Sequence, residues 1–177
     1  MIKKKLPSKK VSPDDYMTPH YALNPLLKYL KKNWIIWECA SGSGNLAKFL
    51  RKKGYKVVTT EILRGGTNND FLTCKPPKKY NCILTNPPYS LKNEFLERCY
   101  KLKKPFALLL PLTTLETETR QNLFNNFGLE IIFFNKRINF EVPYQTKSNS
   151  SYFATAWFTN KLKIGNSLNF VKLERDN

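Results

Sequence analysis

Residues 34–47 constrain what this chain can fold into more than any other stretch of it. Trp34-Ile35-Ile36-Trp37 is a short apolar run ended by Glu38, a turn of small residues follows (Ala40-Ser41-Gly42-Ser43-Gly44), and Leu46, Phe49 and Leu50 then recur at helical spacing. A strand that ends in a glycine turn and runs straight into a helix can wrap its backbone around a nucleotide-like ligand, with turn amides and the helix N-terminus facing it. The unit belongs to doubly wound α/β chains, in which ligands sit at the carboxyl ends of parallel strands.

Taken alone, Gly42-x-Gly44-x-x-Ala47 does not distinguish NAD from S-adenosylmethionine (SAM), and the absence of a following Gly-Lys-Ser/Thr removes the P-loop reading. One acid narrows the choice. Glu38 lies four residues before the first glycine, where a carboxylate would meet the cationic amino group of the methionine part of SAM, with Ala40 in the turn between them. A second strand, 55–62, carries Glu61 at its end. Its offset from the glycine turn suits the acid that holds ribose hydroxyls in nucleotide-binding α/β folds. Asp70-Phe71, after the turn at Gly65-Gly66, suits either an adenine ring with its amine on the carboxylate or a plain turn cap.

A third apolar run, 80–85, ends in Asn86-Pro87-Pro88-Tyr89. The exocyclic amine of a base or amide is a poor nucleophile because its lone pair is drawn into the neighbouring π-system. An enzyme that alkylates such an amine must offer acceptors that localise the lone pair, and an Asn side-chain oxygen with a backbone carbonyl can do so. Two prolines hold φ near −65° and carry no N–H to compete, so Pro87 and Pro88 present the carbonyl that follows Asn86 at a fixed angle. Tyr89 offers a flat face for a planar substrate.

The ordered set Glu38-x-x-x-Gly42-x-Gly44, Glu61, Asp70-Phe71 and Asn86-Pro87-Pro88-Tyr89 resembles that of the SAM-dependent amino-methyltransferases, especially the phage-type DNA N6-adenine methyltransferases. Asp15-Tyr16-Met17-Thr18-Pro19 is similar to the segment that in this family closes over the methionine end of the cofactor, which implicates Thr18 and Pro19. Arg137-Ile138-Asn139-Phe140 and 152–158 look like the late strands whose aromatic residues, here Phe140 or Phe153, flank an extruded base. The resemblance implies a Rossmann-like methyltransferase fold, SAM as cofactor, adenine N6 in DNA as acceptor, direct transfer without metal, and a cytoplasmic setting in a bacterium or phage-infected cell. RNA adenine, a protein glutamine amide, and binding of nucleic acid without catalysis are the rival readings.

Charge agrees with a polyanionic partner: 30 Lys+Arg stand against 13 Asp+Glu, a formal net charge of +17. The lysine clusters are spread along the chain, so the sequence does not say which of them line a groove. No basic helix with a bulky apolar face accompanies them, which leaves a membrane without an anchor. Cys39, Cys74, Cys82 and Cys99 lack C-x-x-C spacing and read as reduced core residues, and the lone His20 has no partners for a metal. The first residues lack the apolar stretch of a signal peptide.

At 177 residues the chain fits one catalytic domain, 14–160, preceded by a basic tail, 1–13, and followed by a tail or edge strand, 161–177. The expected order is a helix over 19–30, strand 34–40, helix 45–53, strand 55–62, strand 80–85, helix 91–103, strand 105–112, helix 117–127, and a final antiparallel hairpin of strands 129–140 and 151–159. Two loops could reach bases: 113–117, and 142–150, where Lys147 is the cation beside the site.

Overall fold

The computed structural model describes residues 16–62, 69–141 and 152–175. Seven strands form one sheet in the order β2-β1-β3-β4-β6-β5-β7. They are β1 (Ile35–Glu38), β2 (Lys56–Thr59), β3 (Cys82–Thr85), β4 (Phe106–Pro111), β5 (Glu130–Phe134), β6 (Thr155–Asn160) and β7 (Leu168–Val171). β1 pairs in parallel with β2 and β3, β3 with β4, and β5 with β7, while β6 slots antiparallel between β4 and β5. Every strand except β6 therefore points the same way, and the carboxyl ends of β1 to β4 gather at one edge.

Strand periodicity sorts the core into two layers. Ile36, Leu84, Ala107 and Leu109 face one side, beneath helices α1 (Asn24–Leu27) and α2 (Asn45–Lys52). Trp37, Ile83, Phe106, Leu108 and Leu110 face the other, beneath α3 (Lys92–Leu102) and α4 (Glu118–Phe127). β4 is buried along its whole length, so it reads as a continuous apolar run rather than an alternating one. α2 ends with Gly54 at φ +84°, and Tyr55 N–H reaches back to the Leu50 carbonyl at 3.0 Å, a Schellman stop that delivers the chain into β2.

The helix expected over 19–30 divides into a 3-10 turn, His20–Leu23, and the short α1, because Pro25 lacks an N–H and tolerates only a first helical turn. Several strands are shorter than the apolar runs that announce them. The strand expected over 129–140 stops at Phe134; beyond it Asn135 N–H reaches the Val171 carbonyl at 3.1 Å, and an isolated bridge joins Met17 to Glu141.

Candidate functional site

A cavity of about 400 Å³ opens at the carboxyl ends of β1, β2 and β3. Thr18, Glu38, Ala40, Gly42, Glu61, Asp70, Phe71, Asn86 and Pro88 all line it, so one wall gathers residues drawn from five separated segments. Pro19, Gly44, Pro87, Tyr89, Phe140 and Phe153 stand outside the lining, and Lys147 lies outside the described residues.

The glycine turn takes its shape from two left-handed residues, Gly42 at φ +48° and Gly44 at φ +80°. No Cβ clash explains the glycine at either position, since a methyl at Gly42 would meet nothing and one at Gly44 only the Lys48 Cε at 3.8 Å. The requirement is conformational, and side chains resist that φ. Gly42 N–H donates to Glu61 Oε2 at 2.5 Å, so the acid at the end of β2 grips the turn that follows β1.

Glu38 is 1% exposed, and its Oε2 has no hydrogen-bond partner among the described residues. Burial pushes its carboxyl up to about 8; the Ala47 backbone amide and Arg51 partly offset this, and the Glu61 charge adds to it. A buried carboxylate that lines a cavity with one oxygen unpartnered is suited to a ligand cation.

Asn86 follows β3 directly. Its Nδ2 donates to the Tyr16 carbonyl at 3.4 Å, and since that neighbour can only accept, the amide orientation is fixed. Oδ1 is left buried without a partner among the described residues. The Pro88 carbonyl accepts from Leu91 N–H at 3.0 Å, whereas no described donor reaches the Pro87 carbonyl. Two acceptors thus stand side by side at the tetrapeptide.

Asp70 serves its turn: Oδ1 accepts from Leu72 N–H at 2.9 Å and Oδ2 from Thr73 Oγ1 at 3.4 Å, while the residue still borders the cavity. Phe71 is 2% exposed and stacks on Phe95 at 4.7 Å, which gives the cavity an apolar side. Arg98 clasps this turn through the Leu72 and Cys74 carbonyls and lies over the Phe71 ring.

Beside Asn86 the aromatic residues form one cluster. Phe140, 1% exposed, stacks on Tyr16 at 5.5 Å, and Phe153 meets Tyr89 edge to face at 5.6 Å. Tyr16 and Met17 line the cavity; the sequence placed them in the segment 15–19 but singled out only Thr18 and Pro19. Their position comes from backbone bonds between Met17 and Glu141, 2.9 and 3.0 Å, which strap the N-terminal segment over the site. That pairing joins distant parts of the chain and leaves no local signal. Among the described residues no group of three or more His, Cys, Asp or Glu could hold a metal, and no helix is long and apolar enough to cross a membrane.

No family model and no curated protein matches the chain. Among solved structures it is similar to a modification subunit of a provisionally assigned type I restriction enzyme from Vibrio vulnificus YJ016. That likeness has a TM-score of 0.60 and 11% identity and covers 92% of this chain and 48% of the other, so the chain spans about half of that subunit. It is also similar to a provisionally assigned class I SAM-dependent methyltransferase from Listeria monocytogenes, with a TM-score of 0.60, 13% identity, and coverage of 94% of this chain and 68% of that one. The fold is the Rossmann-like fold of the SAM-dependent methyltransferases, a mostly parallel sheet with one antiparallel strand inserted near its end.

Proposed function

We propose that the chain is a SAM-dependent methyltransferase acting on an exocyclic amine, adenine N6 in nucleic acid, with DNA the first candidate. The observation that carries this reading is Asn86 Oδ1, buried without a described donor in the lining of a cavity that also holds Glu38, whose Oε2 is likewise unpartnered among the described residues, with the adjoining Pro87 carbonyl free of a described donor. The cavity fits SAM: Glu38 suits the methionine ammonium, Glu61 the ribose hydroxyls, and Phe71 with Phe95 an adenine face. SAM when bound supplies an electrophilic methyl group on a sulfonium.

Asn86 and Pro87 would each accept one N–H of the incoming amine, which localises its lone pair on nitrogen. Thr18 and Pro19 belong to the strap that covers the cavity. Tyr89 is 9% exposed, so a base stacking on it must displace a neighbour, and Phe153 is the ring already in contact. Stacking is worth about 1–3 kcal/mol per base, which is of the size needed to offset extrusion from a duplex. The similarity to a restriction modification subunit and the charge of +17 support nucleic acid over a protein amide.

Incubation with methyl-labelled SAM and separate DNA, RNA and protein pools tests the reading, with identification of the labelled nucleoside or residue. Label in N6-methyladenine is the expected result. Asn86→Ala should lose transfer by at least about a hundredfold, the scale of removing a transition-state hydrogen-bond partner, while SAM affinity stays within a few-fold. Preference for NAD over SAM, or parental turnover by Asn86→Ala, would refute the assignment.

A further inference from the structure

We propose that the face formed by α1, α2 and β2 is a phosphate-backbone track that carries nucleic acid away from the cavity. The inference rests on the nucleic-acid reading above and assigns it a surface. Between residues 20 and 60 the chain carries Lys28, Lys31, Lys32, Lys48, Arg51, Lys52, Lys53 and Lys56, all exposed, against one acid, the buried Glu38. These cations lie on α1, α2, β2 and the segments that join them, and α1 and α2 are tied together at two of them. Lys32 Nζ donates to the Lys53 carbonyl at 2.8 Å and lies over the Tyr55 ring at 4.2 Å, and Tyr55 Oη reaches the Leu27 carbonyl at 3.1 Å, which locks α1 beside α2.

The opposite face differs in sign pattern. α3 and α4 mix Lys92, Arg98, Lys101 and the buried Arg120 with Glu94, Glu97 and Glu118, so cations and acids nearly balance there. The described residues hold one ion pair, Lys172 with Glu174, and none of the eight cations takes part in it. Half-buried rings lie among them: Lys31 stands over Trp34, Lys53 over Phe49, and His20 stacks on Phe49 at 5.1 Å. Cations with interleaved flat rings suit a nucleic-acid strand. A membrane would require protruding apolar side chains, and the exposed large hydrophobics (Ile62, Leu91, Leu115, Phe127, Tyr152, Leu168 and Phe170) all lie outside this stretch. The track also starts in the right place, since Asn45 and Leu46 at the head of α2 line the cavity.

The test uses the full chain and two variants of equal net charge. One combines Lys28→Gln, Lys31→Gln, Lys52→Gln and Lys56→Gln, positions whose side chains make no hydrogen bond among the described residues. The other, a control elsewhere on the surface, combines Lys75→Gln, Lys79→Gln, Lys101→Gln and Lys136→Gln. Fluorescence anisotropy with a labelled 20-mer duplex DNA, a single strand and a hairpin RNA is followed against salt, and SAM binding is measured by calorimetry.

The first variant should lose about tenfold or more in affinity at moderate salt. Its log–log salt slope should shrink by about 2–4, since each neutralised phosphate contributes about 0.9. The control should change about threefold at most, and both variants should bind SAM as the parent does. Loss on the DNA or the RNA arms supports the track and tells which backbone it accepts. Equal loss in both variants, or loss in neither, overturns it. The binding arms need no turnover, so a failure of the methyl-transfer reading is scored separately.

Discussion

Glu38 shows how one residue carries both the legibility and the strain of the site. Its carboxyl is pushed up to about 8 by burial, so the folded chain keeps a proton that the unfolded chain releases near 4.5. The unfolded state therefore binds fewer protons between those values, and stability must fall as pH rises from about 4.5 to about 8. Glu38→Gln removes the titration while keeping the shape. Its melting temperature should stay level across that window while the parent's drops by several degrees, since each 1 kcal/mol is worth about 2–4 °C at this size. Identical pH profiles in differential scanning calorimetry would contradict the assignment. Glu38, Glu61 and Asn86 were legible because a polar residue ending an apolar strand falls at the ligand edge of a parallel sheet. Asp70 was legible only as an ambiguity: its oxygens cap the turn, and the turn borders the cavity.

Among the elements, the piece that sequence periodicity missed is the clamp between α4 and the loop after β4. Arg120 is 6% exposed; its Nε donates to the Thr114 carbonyl at 2.7 Å, Nη1 to Asn93 Oδ1 at 2.7 Å and Nη2 to the Thr113 carbonyl at 3.2 Å. A cation inside a helical repeat reads as solvent-facing, so nothing in the sequence marked it. Asn93 sits in the first turn of α3, which follows the 3-10 turn Tyr89–Leu91, so the clamp fixes the loop 112–115 against the helix next to Tyr89 in the chain. Arg120→Met keeps the length but strands three acceptors and should cost roughly 2–4 kcal/mol, with Arg120→Lys intermediate. Urea denaturation reads the cost. If the clamp also positions substrate, Arg120→Lys should raise KM for nucleic acid with SAM affinity unchanged. A midpoint for Arg120→Met equal to the parent's would mean that the clamp contributes nothing. The other expected loop, 142–150, falls outside the described residues.

For the whole molecule, the sheet closes through residues that look dispensable in the sequence. Residues 161–177 read as a tail or edge strand; β7 is the strand at that edge, and Leu162, Ile164 and Leu173 beside it are 5%, 5% and 1% exposed and pack into the core beneath α1 and α2. The Glu130 carboxylate accepts from both Leu162 N–H and Ile164 N–H at 3.2 Å, and Asn135 Oδ1 from Leu173 N–H at 2.8 Å, so side chains of β5 and of the residue after it hold the segment as well as the pairing of β5 with β7. Burying an aliphatic side chain is worth about 1.5–3 kcal/mol. Three of them together amount to roughly 5–9 kcal/mol, comparable with the whole stability of a typical domain. A chain ended after Asn160 should therefore fail to fold, and Leu173→Ala in the full chain should cost about 2–4 kcal/mol without touching SAM binding. Equilibrium denaturation of Leu173→Ala beside circular dichroism of the shortened chain separates a local cavity from loss of the sheet edge. A shortened chain with the parental unfolding midpoint would show that the sheet is complete at β6 and that the cavity edge is held by β1 to β4 alone.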